Sequence, residues 1–387
     1  TVLHDYAPAT ATATPSMNVP PVNQGITQLT MDAFAKALLA WFDVHGRSNL
    51  PWQHPRTPYR VWLSEVMLQQ TQVRTVIPYF ERFVLALPDL AELASAPQDR
   101  VLALWSGLGY YSRARNLQRC AQLCVEQHHG KLPDSIEQLA ALPGIGRSTA
   151  AAILAQAHGQ SHAILDGNVR RVLARFHGVH GWTGSSAVQG ALWKLAESHT
   201  PLERVADYTQ AIMDLGAMVC TRSKPRCGEC PLRSACTALR EGLTAILPQP
   251  KPTRKIPTRT TTMLIARDPD GRVLLERRPP TGIWARLWSL PQDIDPAATP
   301  PRLVLPGVVG EDELRTLPQL THTFSHFRLL ITPIVLDVDR RAAQVSDDPD
   351  LAWFSADELA ELGLPAPVRK LLANLAEESN PCVPSTA

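Results

Sequence analysis

The feature that most constrains the fold is a tight glycine corner between two helical patterns. Residues Leu142–Gly146 read Leu-Pro-Gly-Ile-Gly and lie between Ser135–Ala141 and Arg147–His158, whose apolar residues recur with helical spacing. Glycine lacks a Cβ, so backbone N–H groups in such a corner are able to face an anion, with a helix N-terminus behind them. Gly144 and Gly146 are therefore predicted to contact a nucleic-acid phosphate, although the same residues also suit an ordinary turn between helices.

An aspartate follows this corner by twenty residues, at the start of the next helical pattern, Asp166–Phe176. Aspartate is a favoured N-cap, so Asp166 on its own is equally well explained as an ordinary helix start. The helix dipole favours an anion at this end, and we expect the carboxylate to stay ionised.

Four cysteines lie within 17 consecutive positions of the chain, separated by six, two and five residues. Zinc sites usually carry two short cysteine pairs, whereas an uneven run around a central Cys-x-x-Cys is typical of a cubane iron–sulfur cluster. Two disulfides are the alternative, but nothing else in the sequence indicates an oxidising compartment. The formal net charge is only +2, so nucleic-acid binding has to rely on local basic patches. The run predicts a metal centre held by Cys220, Cys227, Cys230 and Cys236, among the basic residues Arg222, Lys224, Arg226 and Arg233.

Three further stretches are Ser64–Val73 (SEVMLQQTQV), Leu104–Leu117 (LWSGLGYYSRARNL) and Ile164–Arg175 (ILDGNVRRVLAR). With the corner and the cysteines, they resemble the endonuclease-III-like helix-hairpin-helix DNA glycosylase superfamily, and within it the adenine-DNA glycosylase (MutY) family. The resemblance extends from about Thr30 to the C-terminal region. It implies an all-α body with a 4Fe–4S cluster, which removes adenine mispaired with 8-oxoguanine or guanine from double-stranded DNA.

The sequence is expected to divide into a helical body and an α+β domain. Thr1–Gln28 contains no Lys or Arg and fits neither a signal nor a transit peptide, so we expect a disordered extension. No apolar run approaches the length of a membrane span, and we expect a soluble, monomeric, cytoplasmic protein of a bacterium, associated with the nucleoid. The segments, in order, are 1–28 (extension), 29–247 (helical glycosylase body, with a six-helix barrel lobe at about 52–162 and a cluster lobe from 29–51 and 163–247), 248–259 (basic, proline-rich linker), 260–376 (Nudix-like domain) and 377–387 (tail).

Apolar periodicity predicts the individual elements. Further helices are predicted from Thr30, as its cap, to Gly46 and at Tyr59–Gln70, Val76–Leu87, Arg100–Ser106, Ala114–His128, Ala187–Ser198 and Tyr208–Val219. The C-terminal region is predicted to contain strands at Thr261–Arg267, Val273–Arg277 and Leu329–Val338, a turn at Asp268–Gly271, and helices at Ser355–Leu362 and Pro367–Leu375.

Two carboxyl groups are predicted to carry the chemistry. Loss of adenine leaves an oxocarbenium-like sugar, so the site needs an acid at the base and an anion near the sugar. The apolar neighbours of Glu65 are expected to raise its pKa and keep it protonated, although a lone glutamate is more often a surface residue. The resemblance implies that Glu65 protonates adenine N7 and later helps to activate water. It also implies that Asp166 stabilises or transiently bonds the anomeric carbon, with Asn168 assisting.

Extraction of a base from the duplex requires side chains that fill the vacated stack. By resemblance, Gln69 and Gln70 form a strand-probing wedge and Tyr110 intercalates. On its own Tyr110 is better explained as a buried aromatic beside a glycine-rich turn. Trp52 and Gln210 are weaker candidates for the adenine pocket, since a tryptophan usually belongs to the core.

Residue 148 distinguishes two kinds of glycosylase. Bifunctional relatives carry a lysine in this hairpin, whereas this chain has Ser148, whose hydroxyl cannot form a Schiff base. We therefore expect a monofunctional enzyme. The alternatives are an endonuclease-III-like pyrimidine glycosylase/AP lyase, which usually has Asp-Thr-His where this chain has Asp166-Gly167-Asn168, and a non-catalytic iron–sulfur DNA-binding protein.

The C-terminal region resembles the Nudix-like domain of the same family through Glu276–Pro279 and Trp284–Pro291. The stretch after Pro291 lacks the glutamate-rich helix that a Nudix hydrolase needs for its metal, and we expect no pyrophosphohydrolase activity. Two residues depart from the family pattern, Arg286 for the usual glycine and Leu290 for the usual phenylalanine.

A loop in this domain matches the family loop that reads 8-oxoguanine. The stretch is Thr321–Phe327, THTFSHF. The resemblance assigns the reading of the lesion to Phe324, Ser325 and His326, which in isolation are better explained as a strand end with a lone histidine.

Overall fold

The structure is a computed structural model that describes residues 31–252, 256–292, 314–338 and 349–378. The predicted extension at 1–28, the Thr30 cap and the stretch after Gln292 on which the exclusion of pyrophosphohydrolase activity depended lie outside these ranges. Among the described residues, no helix combines the length and the apolar character that crossing a bilayer requires.

The described residues before Leu247 contain helices and no β-strand, which confirms the all-α prediction. Short 3-10 helices lie at Pro51–Gln53, Cys227–Glu229 and Arg233–Ala235, and a π-helical turn lies at Leu215–Val219. The α-helices are α1 (Ala33–His45), α2 (Pro58–Leu68), α3 (Val73–Ala86), α4 (Leu90–Ser95), α5 (Gln98–Trp105), α6 (Ser112–Gln127), α7 (Ile136–Ala141), α8 (Arg147–His158), α9 (Gly167–His177), α10 (Ser186–His199), α11 (Val205–Asp214) and α12 (Thr237–Arg240).

Helix boundaries differ from the prediction at two informative places. The helix predicted from residue 30 begins at Ala33, because Asp32 caps it with a side chain that accepts the Phe34 N–H at 2.7 Å. Helix α2 ends at Leu68 and not at Gln70, because Gln69 leaves the helical region and Gln70 has φ 61°. The two glutamines therefore lie in a turn after the helix.

Two hydrophobic cores organise the helical body. The first contains Trp62 and Trp105, and the second contains Leu38 and Leu173. Helix α8 contributes to both, because Ile153 and Leu154 belong to the first core while Ala151 and Ala152 belong to the second. Its run of alanines allows helices to approach from both sides, since small side chains leave room for close packing.

The described residues of the C-terminal domain form a seven-stranded mixed sheet with helices, which confirms the α+β prediction. The strand order is β3-β2-β1-β6-β4, with β5 paired to β6 and β7 to β2; β1 and β6 are parallel. The predicted hairpin and the long strand are present, whereas the four shorter strands were not predicted. The elements are β1 (Thr258–Arg267), β2 (Val273–Arg277), β3 (Trp288–Ser289), β4 (Leu314–Thr316), β5 (Leu320–Thr323), β6 (Arg328–Asp337), β7 (Leu351–Phe354), α13 (Ala356–Ala360) and α14 (Ala366–Glu378).

The C-terminal domain packs directly on α5 and α6 of the body. Leu287 is fully buried within the first core. The Tyr111 hydroxyl donates to the Leu364 carbonyl at 2.8 Å, and Arg115 Nη1 donates to the Ala285 carbonyl at 2.8 Å. These contacts attach the domain to the start of α6, directly after Tyr110.

Candidate active site

Glu65 lies on α2 among side chains of the first core. Its neighbours Leu63 and Val66 are buried, as the sequence predicted. Burial is the largest cause that raises the pKa of Glu65, to about 7, and the charge of Asp166 raises it further. Gln156 on α8 opposes this shift, because its Nε2 donates to Glu65 Oε1 at 3.0 Å. A carboxyl group with this pKa is able to give and to take a proton near neutral pH.

Asp166 is the N-cap of α9 and accepts the Val169 N–H at 2.7 Å. Burial raises the pKa of Asp166, although the backbone N–H groups of Val169 and Asn168 and the charge of Arg171 act in the opposite direction. The helix N-terminus lowers the pKa of Asp166, as expected, but burial outweighs it and the net shift is upward. Ionisation of Asp166 near neutral pH stays a prediction. The charge of Asp166 acts on Glu65, and α8 contacts both segments, through Gln156 to Glu65 and through Ser148 to the residue before Asp166.

Arg171 connects the start of α9 to the π-helical turn and the cysteine loop. Its Nη2 donates to Asn168 Oδ1 and to the Gly216 carbonyl, both at 2.7 Å, and its Nε donates to the Cys220 carbonyl at 2.7 Å. A Cβ on Gly216 would lie 2.6 Å from Asn168 Cβ, so only glycine permits this approach. Arg171 was not predicted from the sequence, although its position three residues after Asn168 on a helix indicates that the two side chains are neighbours.

Ser148 lies on α8 and supports the chain immediately before Asp166. Its Oγ accepts the Leu165 N–H at 2.9 Å. A hydroxyl suits this position because it accepts a backbone N–H, which a protonated amine cannot do.

The glycine corner begins α8 at Arg147. Gly144 has φ 78°, in the region that favours glycine, and Gly146 is the N-cap without a side-chain bond. The Arg147 guanidinium lies 3.9 Å from the ring centroid of Trp193 and pairs with Glu197 at 2.5 Å. The first turn of α8 is thus free of a side-chain cap, which leaves its backbone N–H groups available to an anion, while the Arg147 charge is paired with Glu197.

The turn of Gln69 and Gln70 and the loop of Tyr110 are joined by one buried arginine. Arg113 is 8% exposed, and its Nη1 donates to the Gln69 carbonyl at 2.7 Å. Its Nη2 donates to the Gly109 carbonyl at 3.2 Å, and its guanidinium lies 5.5 Å from the Tyr110 ring. Tyr110 is 52% exposed, which excludes the buried alternative. Arg113 was not predicted from the sequence.

Trp52 and Gln210 both lie in buried surroundings. Trp52 is 2% exposed, with its ring centroid 5.4 Å from that of Phe80, in the first core. Gln210 is 3% exposed; its Nε2 donates to Asp214 Oδ1 at 2.7 Å and its Oε1 accepts from Gln53 Nε2 at 3.2 Å. An adenine-pocket role for the two residues stays a prediction.

The four cysteines of the predicted metal centre are brought together. All four are free thiols and line one cavity of about 30 Å³, beside Arg175, whose Nη1 donates to Cys220 Sγ at 3.4 Å. Within the described ranges, no three potential ligand side chains already have metal-binding geometry. Four sulfur donors around one cavity nevertheless fit the donor set of a cubane cluster. Cys120 and Cys124 are buried in the first core, away from this cavity.

The loop between β5 and β6 presents polar groups on an aromatic base. The Phe324 ring stacks on Phe327 with centroids 4.6 Å apart and lies 5.5 Å from Trp284. Ser325 and His326 are exposed, with Ser325 Oγ 3.5 Å from His326 Nδ1. Trp284 also packs against the first core of the body, so this loop is anchored close to the domain contact.

Both departures from the family pattern fit the local structure. Arg286 adopts φ 62°, the left-handed conformation in which glycine is unstrained, and its N–H donates to the Arg278 carbonyl at 3.2 Å. Leu290 is fully buried in the core of the C-terminal domain. The turn is therefore kept without glycine.

Comparisons with known proteins agree with this architecture. Residues 63–198 match the HhH-GPD superfamily of base excision DNA repair proteins, and residues 262–374 match the NUDIX domain. A solved structure of a thermostable thymine-DNA glycosylase is 27% identical, with a TM-score of 0.50; the match covers 54% of this chain and 95% of that chain.

Curated relatives extend the similarity over most of the chain. Adenine DNA glycosylase of Buchnera aphidicola subsp. Schizaphis graminum is 35% identical over 344 residues, which are 89% of this chain and 99% of that protein. Adenine DNA glycosylase of Homo sapiens is 34% identical over 400 residues, covering 88% of this chain and 73% of that protein. The chain therefore belongs to the adenine DNA glycosylase family of base excision repair enzymes, with an HhH-GPD helical body and a C-terminal Nudix-like domain.

Proposed function

We propose that this protein hydrolyses the N-glycosidic bond of adenine mispaired with 8-oxoguanine, and with guanine, in double-stranded DNA and leaves an abasic site. The observation that carries the proposal is the pair of Glu65 and Asp166, with the pKa of Glu65 raised to about 7 by burial and by the charge of Asp166. A group with this pKa is a suitable general acid at neutral pH.

The proposed reaction uses the two carboxyl groups in turn. Glu65 gives its proton to adenine N7, and the bond between C1′ and the base breaks with its electron pair passing to adenine. The positive charge left on the sugar faces Asp166, which stabilises it as an anion positioned beforehand. Water then adds to C1′, and its proton passes to Glu65, which restores the acid. Asn168, held by Arg171, assists at the N-terminus of α9.

Hydrolysis without strand cleavage follows from the group at position 148. A glycosylase that also cleaves the strand forms a Schiff base through an amine. Ser148 supplies a hydroxyl, which already accepts the Leu165 N–H. We therefore assign a monofunctional activity and not that of a pyrimidine glycosylase/AP lyase.

Contacts with the duplex are assigned to two regions of the body. Gly144 and Gly146 leave the first turn of α8 open to a DNA phosphate. Gln69, Gln70 and Tyr110 fill the stack from which adenine is taken, and the 52% exposure of Tyr110 supports this role. Trp52 and Gln210 are assigned to the wall that receives the base.

A 4Fe–4S cluster would be held by the four thiols around the cavity described above. When bound, it would cross-link the loop that carries Arg222, Lys224 and Arg226. Such a loop presents its charges to phosphates in a fixed geometry, which supports affinity for DNA.

The C-terminal domain is assigned the recognition of 8-oxoguanine. Phe324 is the apolar base of the loop, and the exposed Ser325 and His326 supply hydrogen-bonding groups to the edge of the lesion. The attachment of this domain next to Tyr110 supports joint action on the two bases of one mispair.

One experiment tests the proposal. The protein is incubated with a duplex containing one A·8-oxoguanine pair, and the products are separated with and without heating in alkali. We expect release of adenine, with a strand break at its position only after alkali. Intact DNA after alkali would overturn the glycosylase assignment, and a break without alkali would overturn the monofunctional one.

A further inference from the structure

Gln156 contacts the general acid from the opposite helix. It lies on α8, is 5% exposed and donates its Nε2–H to Glu65 Oε1 at 3.0 Å. Among the described residues it is the one hydrogen-bond partner of the Glu65 carboxyl group.

The other end of the same amide is unsatisfied. Gln156 Oε1 is buried and has no hydrogen-bond partner. Buried polar atoms are nearly always paired, so an orphaned one asks for an explanation. An amide offers donors on one side and an acceptor on the other, and rotation by half a turn exchanges them. The amide therefore matches a carboxylate through its N–H and a protonated carboxyl through its oxygen.

We infer that Gln156 is a positioning residue that keeps Glu65 hydrogen-bonded in both of its protonation states. Its N–H donates to the carboxylate, and its Oε1 accepts the O–H of the acid. Glu65 thus keeps its orientation while the proton moves to the base and returns from water. This inference rests on the proposed function of Glu65.

The other charged groups around Glu65 act differently. Asp166, at the start of α9, raises its pKa by repulsion. Arg113 of α6 donates to carbonyl oxygens at the end of α2, and Arg60 of α2 donates to the Pro51 carbonyl, so neither pairs with Glu65. Gln156 is left as the group that moderates the effect of burial.

The two bonds differ in strength, which fixes the direction of the pH effect. A hydrogen bond to an ionised group is stronger than one between neutral groups, so the amide favours the carboxylate form. Removal of the amide should raise the pKa of Glu65, and a second carboxyl group in its place should raise the pKa further by repulsion.

The test compares Gln156→Met, Gln156→Glu and a matched control, Gln118→Met. Gln118 on α6 is also a buried glutamine, 4% exposed, with its Nε2 donating to the Ala96 carbonyl at 2.6 Å. Single-turnover excision from an A·8-oxoguanine duplex is measured from about pH 5 to about pH 10. We expect the alkaline midpoint to rise by roughly half a unit or more in Gln156→Met, and further in Gln156→Glu. The rate of Gln156→Met at neutral pH should fall on the order of tenfold, as expected for a misplaced acid.

Equal profiles for wild type and Gln156→Met, or a downward shift, would overturn the inference, as would a matching change in Gln118→Met. A second readout does not depend on catalysis. The pH dependence of the free energy of unfolding, taken relative to the same protein carrying Glu65→Gln, reports the pKa of Glu65, and its midpoint should move upward in Gln156→Met. Absence of adenine release from the wild type would count against the proposed function alone, because the unfolding measurement still decides the role of Gln156.

Discussion

The guanidinium of Arg113 donates to the carbonyl oxygen of Gln69 at 2.7 Å, across 44 residues of sequence. The same group reaches the carbonyl of Gly109 at 3.2 Å, so one side chain fixes both segments proposed to enter the DNA stack. Hydrogen bonds from the buried Arg113 side chain therefore determine the geometry of the proposed wedge.

The first prediction concerns this arginine. Arg113→Lys retains a positive charge but loses the forked donors that reach several carbonyls at once. We expect a loss of about 2 kcal/mol in the free energy of unfolding and slower excision, measured by chemical denaturation and single-turnover rates. Arg119→Lys, an exposed change on the same helix, is the control and should alter neither. A wild-type excision rate in a folded Arg113→Lys protein would show that the arginine does not determine the geometry of the proposed wedge.

The second prediction concerns the two carboxyl groups. Glu65→Gln removes the acid and Asp166→Asn removes the anion, and each should cost about 4 kcal/mol or more in the activation barrier. DNA affinity should largely survive because it depends on phosphate contacts. Single-turnover rates and binding isotherms test this, with Glu126→Gln on α6 as an exposed control. Excision near the wild-type rate by either variant would remove that residue from the site.

The third prediction is a pH dependence of stability. The pKa of Glu65 is raised from 4.5 to about 7 in the folded protein, so its ionisation opposes folding. The stability of the wild type relative to Glu65→Gln is fully present below about pH 4.5 and is lost as the pH rises through about 7. The difference between the two limits is on the order of 3 kcal/mol. Denaturant unfolding of both proteins at about pH 5 and about pH 8 measures this difference. An equal change in the stability of the two proteins between these pH values would contradict the raised pKa of Glu65.

The fourth prediction concerns Ser148. Ser148→Lys should introduce some AP lyase activity, because an amine then lies where bifunctional relatives carry one. Borohydride should trap a protein–DNA adduct with this variant and none with the wild type. Ser148→Ala removes the acceptor of the Leu165 N–H without supplying an amine. It should cost about 1–2 kcal/mol of stability and give no adduct. Trapping by the wild type would place the enzyme in the bifunctional class.

The fifth prediction concerns the loop of the C-terminal domain. The double change Ser325→Ala/His326→Ala should reduce the preference for A·8-oxoguanine over A·G by roughly five- to a hundred-fold, the value of one good base-edge contact. Excision from A·G should persist, because Glu65 and Asp166 belong to the body. Single-turnover rates on the two duplexes give the ratio. A ratio equal to that of the wild type would assign the loop a structural role only.

Local patterns in the sequence were sufficient to predict the proposed catalytic residues, but not the residues that hold them in position. The glycine corner, the Asp166 cap and the apolar surroundings of Glu65 follow from neighbouring residues, and all three are present. Arg113 and Gln156 were missed because their partners lie 44 and 91 residues away, beyond any periodicity. The upward shift in the pKa of Asp166 was not predicted for the same reason. The burial that causes it depends on how α9 packs and not on the residues at the N-terminus of that helix.

The long-range pairing of Arg47 with Asp214, 167 residues later, has a consequence for the order in which the enzyme is made. Helix α1 is synthesised early, but it contacts α11 and therefore packs only after α11 has been made. The first core, nearly complete by Leu154, is able to form earlier from shorter-range contacts. Glu65 belongs to the half that is ready early and Asp166 to the half that is closed late. We therefore expect the two carboxyl groups of a nascent chain to come together only after Asp214 has paired with Arg47.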